Sequence, residues 1–139
     1  YGGIIIDGMT FTFKEGAVTQ VTAAKGEETL KRLVEDHQGG KFLGEVAFVP
    51  HSSPISASGL IFNETLFDEN ASNHLALGQA YASSIQGGTD MSQEELDAAG
   101  LNRSTVHVDF MIGSQDMDVD GITKDGQRIP IFRQGEWAF

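Results

Sequence analysis

Alternating and helically spaced hydrophobic residues divide the first part of the chain into a hairpin and a helix. Residues 10–13 and 17–23 alternate between apolar and polar, and the turn Lys14-Glu15-Gly16 separates them. We predict a β-hairpin in which Gly16 takes the positive φ angle of the turn. Over residues 26–36 the period lengthens, because two leucines and a valine recur at helical spacing behind an acidic first turn. This segment predicts an amphipathic helix.

Two later apolar segments predict strands that carry polar residues. Residues 43–49 contain a single charge, Glu45, which is costly inside a strand unless it is paired or bound to metal. Alternation also allows Glu45 to face solvent. Residues 104–112 place His107 and Asp109 at i and i+2, on one face of a strand. A histidine and an aspartate side by side favour a metal or catalytic site, and a structural hydrogen bond between them is the alternative.

The stretch 66–81 concentrates further polar chemistry. Asn70 or Ser72 is a plausible N-cap, and residues 71–82 are rich in helix-forming residues, so we predict a helix there. That helix would carry His74 and Tyr81 on one face, with Glu69 at its entrance. A carboxylate and an imidazole at one place form half of a metal site, although a single histidine on a helix is more often an ordinary polar side chain.

The remaining pattern completes an α/β fold. Residues 91–99 predict a short helix with a capping box, Ser92 and Glu95, and residues 122–132 predict a hairpin around Asp125-Gly126. Residues 133–139 resemble a closing edge segment. We therefore expect a mixed β-sheet flanked by helices over 26–36 and 71–82, with His107 on an interior strand.

Composition then narrows the class of protein. The 139 residues fit one domain, 1–139, and 40% hydrophobic content with a net charge of −11 describes a folded acidic chain. The lack of a basic patch argues against nucleic acid, and no apolar run approaches the ~18 residues of a membrane span. We expect a cytoplasmic protein. Because cysteine is absent, any metal must be held by histidine, aspartate and glutamate.

Two apparent motifs are rejected. Asp116, Asp118 and Asp120 imitate the start of an EF-hand, but the twelfth position of that loop would be Gln127, which cannot supply the bidentate carboxylate. The iron-binding facial triad needs a histidine after its His-x-Asp pair, and none follows His107. Two other histidines are interpreted without a metal role: His37 as a cation at a helix end and His51 as a solvated loop residue.

Longer motifs carry a family resemblance. The segments Gly44-Glu45-Val46, Leu66-Phe67-Asp68-Glu69-Asn70-Ala71 with His74, and residues 107–113 are similar to the thermophilic metallo-aminopeptidases of the aminopeptidase T and S type. The similarity extends over nearly the whole chain, including the Pro54-Ile55-Ser56 loop and the tail with Trp137. By this resemblance, the metal ligands are Glu45, Glu69, His74, His107 and Asp109, and Tyr81 is a catalytic tyrosine.

The resemblance also implies an activity. It implies a metal-dependent aminopeptidase that removes N-terminal residues from peptides through a metal-activated water, with two divalent ions (Zn, Co, Mn or Mg) per site. Family members are longer, with an N-terminal domain and one further ligating glutamate, so this chain resembles their C-terminal catalytic part. Its start at Tyr1, without methionine, also suggests a fragment. We expect a homodimer in the full-length protein. The alternative is a metal-binding or dimerisation module that is inactive without the missing part.

Overall fold

The computed structural model describes all residues, 1–139. Its regular elements are short strands and helices. The strands are β1 (Thr10–Lys14), β2 (Ala17–Thr22), β3 (Leu43–Ala47), β4 (His74–Gly78), β5 (His107–Met111), β6 (Val119–Ile122), β7 (Arg128–Arg133) and β8 (Glu136–Trp137). The α-helices are α1 (Glu27–Glu35), α2 (Pro54–Ser58), α3 (Thr65–Asp68) and α4 (Gln93–Ala98), and 3₁₀ turns cover Glu69–Ala71, Ala82–Ser84 and Gly88–Asp90. The predicted α/β class, with sheets and a few helices, is confirmed.

The chain forms two compact units, which we describe separately. The first unit comprises residues 1–45 and 76–108, and the second comprises residues 46–75 and 109–139. Strands β1 and β2 and helices α1 and α4 lie in the first unit, whereas α2, α3 and β6 to β8 lie in the second. Each of β3, β4 and β5 has residues in both units.

The first unit contains the predicted hairpin and amphipathic helix. Strands β1 and β2 pair antiparallel, and Gly16 at the turn has a φ of 80°. Helix α1 packs on β2 and buries Leu30 and Leu33, while the hairpin contributes Val18 and Val21 to the core. Both predictions are therefore confirmed, because the apolar face of each element has a partner to pack against.

Helix α4 in the first unit also matches its prediction. The Ser92 hydroxyl accepts the Glu95 amide, and the Glu95 carboxylate accepts the Ser92 amide at 2.7 Å. These two bonds satisfy donors that the start of a helix leaves without partners. Leu96 is the buried side chain of this helix. None of the helices is long and apolar enough to cross a bilayer.

The prediction of a helix over residues 71–82 is wrong. Ser72 has extended dihedral angles, and residues 74–78 form strand β4. Ala76 and Leu77 are fully buried, so the apolar run is covered on both faces, as in a central strand. Tertiary burial overrides the helix propensity of alanine and leucine here. His74 and Tyr81 therefore do not share a helix face, and Glu69 lies in the 3₁₀ turn that follows α3.

Strand β4 is central in a three-stranded sheet with the order β3-β4-β5. Strand β5, which carries His107, is thus an outer strand, and the prediction of an interior strand is wrong. Before β4, residues 60–64 are irregular and α3 begins at Thr65. The Asp68 carboxylate accepts the Phe62 and Glu64 amides and closes that loop.

The second unit is built on the antiparallel strands β6, β7 and β8. Phe132 on β7 is fully buried and contacts the rings of Phe48 and Trp137, with centroid separations of 5.8 and 4.4 Å. The predicted hairpin turns at Gly126, whose φ is 82°, and the predicted closing segment pairs with β7 through Trp137. Aromatic packing of this kind supplies much of the burial that a small unit needs.

Candidate metal centre

The second unit brings three of the predicted ligands together. Glu69, His74 and Asp109 each offer one ligand atom, and these atoms all lie within 4.8 Å of one another. His74 opens β4 and is 3% exposed, whereas the two carboxylates are half-buried on the 3₁₀ turn and on β5. Two carboxylates this close repel each other unless a cation or proton lies between them. We name this set the Glu69 cluster.

The orientation of His74 fits a metal ligand. Its Nδ1 lies 3.0 Å from the Ser72 carbonyl oxygen, which can only accept a hydrogen bond. Nδ1 therefore carries the hydrogen, and in the neutral ring Nε2 carries the lone pair. Metal-binding histidines are usually oriented in this way, by a donor bond from the other ring nitrogen.

The first unit holds the second histidine in the same manner. His107 Nδ1 lies 2.7 Å from the Gln79 carbonyl oxygen, and Nε2 lies 3.3 Å from the Glu45 carboxylate. Both side chains are partly buried, His107 at 21% exposed and Glu45 at 29%. A neutral imidazole would point its Nε2 lone pair at a carboxylate oxygen, which is favourable only with a proton or a metal ion beside both. We name this set the Glu45 pair.

Tyr81 lies against the Glu45 pair within the first unit. Its ring centroid is 5.2 Å from that of His107, with the planes tilted by 48°. The side chain is 53% exposed, so a ligand from solvent can reach it. The structure thus places Tyr81 beside a predicted ligand, although on a loop after β4 rather than on the predicted helix.

Sequence reasoning missed the residue that anchors His74. Asn73 is 2% exposed, and its side-chain oxygen accepts the Val49 amide at 2.5 Å. Its amide nitrogen donates to Met117 Sδ at 3.3 Å, and its carbonyl accepts the amides of Ile112 and Gly113. Asn73 therefore ties together the chain after β3, the start of β4 and the chain after β5. In the sequence it lies inside the predicted helix over residues 71–82, where nothing distinguishes it.

The histidines and acids that were interpreted without a metal role lie in other parts of the chain. His37 follows α1, with Nδ1 3.4 Å from the Thr105 hydroxyl, and belongs to neither the Glu69 cluster nor the Glu45 pair. His51 is an exposed loop residue. Among the three acids that imitate an EF-hand, Asp118 accepts the Gln134 amide and Asp120 pairs with arginines. The hydrogen bond from Arg133 lowers the pKa of Asp120, so this acid serves the β6–β7 hairpin.

The donor set fits a divalent cation. Two imidazole nitrogens and three carboxylates are present without thiolate, a combination that suits Zn, Co, Mn or Mg. Both imidazoles have the Nδ1 bond that leaves Nε2 as the nitrogen able to bind an ion. The residues therefore match the chemistry that such an ion requires.

Comparison with known proteins gives a consistent family. The sequence model described as thermophilic metalloprotease (M29) matches residues 1–137. The chain is 61% identical over 139 residues to aminopeptidase AmpS of Bacillus subtilis and 49% identical over 136 residues to aminopeptidase T of Thermus aquaticus. These alignments cover 100% and 98% of this chain.

A solved structure gives the same answer for the fold. The structure titled wild-type AmpT from Thermus thermophilus superimposes with a TM-score of 0.90 at 47% identity over the whole of this chain. It is matched over 34% of its own length, and the two curated relatives over 34% and 33% of theirs. The chain thus spans about a third of the length of the proteins it matches.

Proposed function

Because the chain belongs to the thermophilic metalloprotease (M29) family, we propose that it is the metal-binding part of an aminopeptidase that hydrolyses N-terminal residues from peptides. One observation carries this proposal from the chain itself: both histidines donate Nδ1–H to a backbone carbonyl while a carboxylate lies near them. That arrangement is typical of metal ligands and is not required by a purely structural histidine.

The proposed ligand assignment follows the two groups. Glu69, His74 and Asp109 would hold one divalent ion, and Glu45 with His107 would contribute to a second. One carboxylate, Glu69 or Asp109, is proposed to bridge the two ions.

Residues of this chain would have separate roles in hydrolysis. When bound, such ions lower the pKa of a water molecule and polarise the scissile carbonyl. His74 and His107 present Nε2 in a fixed direction, because their Nδ1 atoms are bonded to the backbone. Tyr81 would donate its hydroxyl hydrogen to the oxygen that becomes negative as the peptide bond is attacked. Its exposure and its contact with His107 support this role.

The finer properties of the whole protein belong to the same proposal. The donor set admits Zn, Co, Mn or Mg, two ions per site. Cytoplasmic location, peptide substrates and a homodimer are proposed for the longer protein, as is the role of residues 1–139 as its metal-binding C-terminal portion. The resemblance to the family implies one more ligating glutamate outside these residues.

A second candidate function is a metal-binding module without activity of its own. It is favoured by the length of the chain, which is a third of that of the relatives. With a ligand missing, the second ion would be held weakly, and misplacing reacting groups by ~1 Å can cost about 100-fold in rate. We therefore expect this chain to fold but to hydrolyse peptides poorly by itself.

The test compares this chain with aminopeptidase AmpS of Bacillus subtilis. Hydrolysis of an aminoacyl reporter is measured for both under saturating Co or Zn, together with metal content by elemental analysis. We expect bound metal in this chain, lost in His74→Ala and Asp109→Ala, with far slower turnover than AmpS. His51→Ala, an exposed histidine outside both groups, is the control and should keep its metal. Unchanged metal content in the His74 and Asp109 variants would refute the ligand assignment. Turnover equal to that of AmpS would refute the second candidate function, a module without activity of its own.

A further inference from the structure

We infer that Gly44 is a positioning residue for the metal centre, because the missing side chain at this position leaves room for the carbonyl that orients His107. The inference rests on the proposed function for its purpose, but its geometry concerns the first unit alone. Gly44 precedes the candidate ligand Glu45 on β3, and Gln79 follows β4. The Gln79 carbonyl oxygen is the acceptor for His107 Nδ1.

A side chain at position 44 would collide with this carbonyl. A Cβ atom built on Gly44 lies 2.3 Å from the Gln79 oxygen, 2.6 Å from the Gln79 carbonyl carbon and 2.6 Å from the Gly78 oxygen. All three are backbone atoms, so no flexible side chain can turn aside. Gly44 is not among the glycines with positive φ, so backbone freedom does not explain its presence. The close approach of the Gln79 and Gly78 backbone is the physical reason for glycine at position 44.

The carbonyl cannot easily retreat, because its segment is fixed on several sides. The Gln79 amide donates to the Val106 carbonyl at 2.7 Å, and the Gln79 side-chain oxygen accepts the Ser104 amide at 2.9 Å. The Asn102 side chain donates to the Gly78 oxygen at 2.5 Å. A methyl group at position 44 would therefore either turn the Gln79 carbonyl or push β3 away, and with it Glu45.

A turned carbonyl changes the histidine in a way that can be observed, whereas a displaced β3 would leave the bond between His107 Nδ1 and Gln79 in place and would argue against the inference. Once the carbonyl has turned, His107 Nδ1–H loses this acceptor, and the ring can place the hydrogen on Nε2 or rotate. An imidazole with its hydrogen on Nε2 cannot use that atom as a ligand. Loss of such an orienting partner typically lowers metal affinity by about 10- to 100-fold.

The experiment compares Gly44→Ala with a matched variant, Gly40→Ala. Gly40 also lies in the first unit and has no positive φ. A Cβ atom there would lie 2.6 Å from the Leu33 carbonyl oxygen, which does not orient Glu45 or His107. Long-range ¹H–¹⁵N spectra of the metal-free chain report the Nδ1-bound hydrogen of each histidine, and zinc titration reports affinity. His74, whose bond to Ser72 lies in the second unit, is the internal reference.

We expect Gly44→Ala to lose the His107 Nδ1–H signal, to keep that of His74, and to bind zinc about 10- to 100-fold more weakly. Gly40→Ala should keep both signals and its affinity for zinc. Retention of the His107 signal in Gly44→Ala, or equal loss in Gly40→Ala, would overturn the inference. Because the spectra are recorded without metal, they decide the role of Gly44 even if the proposed function fails.

A second variant covers the case in which Gly44→Ala does not fold. Asn102→Ala removes the bond to the Gly78 oxygen and loosens the same carbonyl segment without a collision. A weakened His107 Nδ1–H signal in this folded variant would support the inference. An unchanged signal, with Gly44→Ala unfolded, would show that glycine serves the fold as a whole and would overturn it.

Discussion

At the scale of single residues, a buried polar side chain matters through the partners that it satisfies inside the protein. Asn73 is the example: its side-chain oxygen accepts the Val49 amide, and its amide nitrogen donates to Met117 Sδ.

The burial of Asn73 leads to a prediction about stability. We expect Asn73→Ala to lower the free energy of unfolding by about 1–3 kcal/mol, because the Val49 amide loses its acceptor inside the protein. Urea denaturation measures the change. Asn70→Ala is the control, since its exposed side chain donates only to the Leu66 carbonyl, and it should cost far less. Equal losses in the two variants would contradict this role of the Asn73 side chain.

The chemistry of single residues was easier to predict than their contacts. The positions of His107 and Asp109 on one strand face followed from alternation, and the charge of Glu45 inside an apolar strand pointed to a partner. Asn73 could not be found in this way, because an uncharged polar residue gives no such signal and its partners Val49 and Met117 are distant in sequence.

At the scale of elements, local signals predicted those structures that need only local contacts. The hairpin of β1 and β2 and helix α4 were predicted because turn and capping residues lie beside the apolar pattern. Strand β4 was mistaken for a helix because Leu75, Ala76 and Leu77 favour a helix in isolation and become a strand through burial. The position of β5 at an outer edge of its sheet likewise depends on distant pairing.

Helix α4 gives a prediction with a definite dependence on pH. The hydrogen bond from the Ser92 amide lowers the pKa of Glu95 from its ordinary value of 4.5. A lowered folded-state pKa stabilises the protein above the ordinary value, and this contribution disappears as the pH falls through the lowered pKa. Glu95→Gln should therefore reduce Tm at neutral pH, and the difference from the native chain should shrink below about pH 4.5.

The control for this prediction is Glu94→Gln, which removes an equal charge from the first turn of α4 without affecting the Ser92 bond. Thermal unfolding followed by circular dichroism over an acid pH series measures both variants. A Tm difference for Glu95→Gln that stays constant with pH would contradict the role assigned to its carboxylate.

At the scale of the whole molecule, the proposed metal centre should couple ion binding to stability. A ligand that binds only the folded state stabilises it by about 2.7 kcal/mol at a hundred times its Kd. For a chain of this length the corresponding rise in Tm is on the order of 10 °C. We expect added zinc to raise the Tm and EDTA to reverse the rise, as measured by calorimetry.

The matched variants for this coupling are two aspartates. Asp109→Asn removes a carboxylate of the Glu69 cluster and should abolish most of the zinc-dependent rise. Asp116→Asn removes an equal charge from an exposed position outside both groups and should keep it. If the two variants respond equally, zinc stabilises the chain through its general acidity rather than through the proposed centre.

The orienting acceptors for His74 and His107 are backbone carbonyls, at Ser72 and Gln79. Alanine scanning removes side chains and leaves every carbonyl in place, so a scan of residues 72 and 79 would record these positions as tolerant of change and would not detect their task. In an alignment of related sequences, this role of the carbonyl would not restrict which residue types occur at positions 72 and 79. It would appear only as intolerance at a neighbour such as Gly44, where an added methyl group meets the carbonyl. The bonds that orient the two histidines are thus carried by atoms that every amino acid possesses.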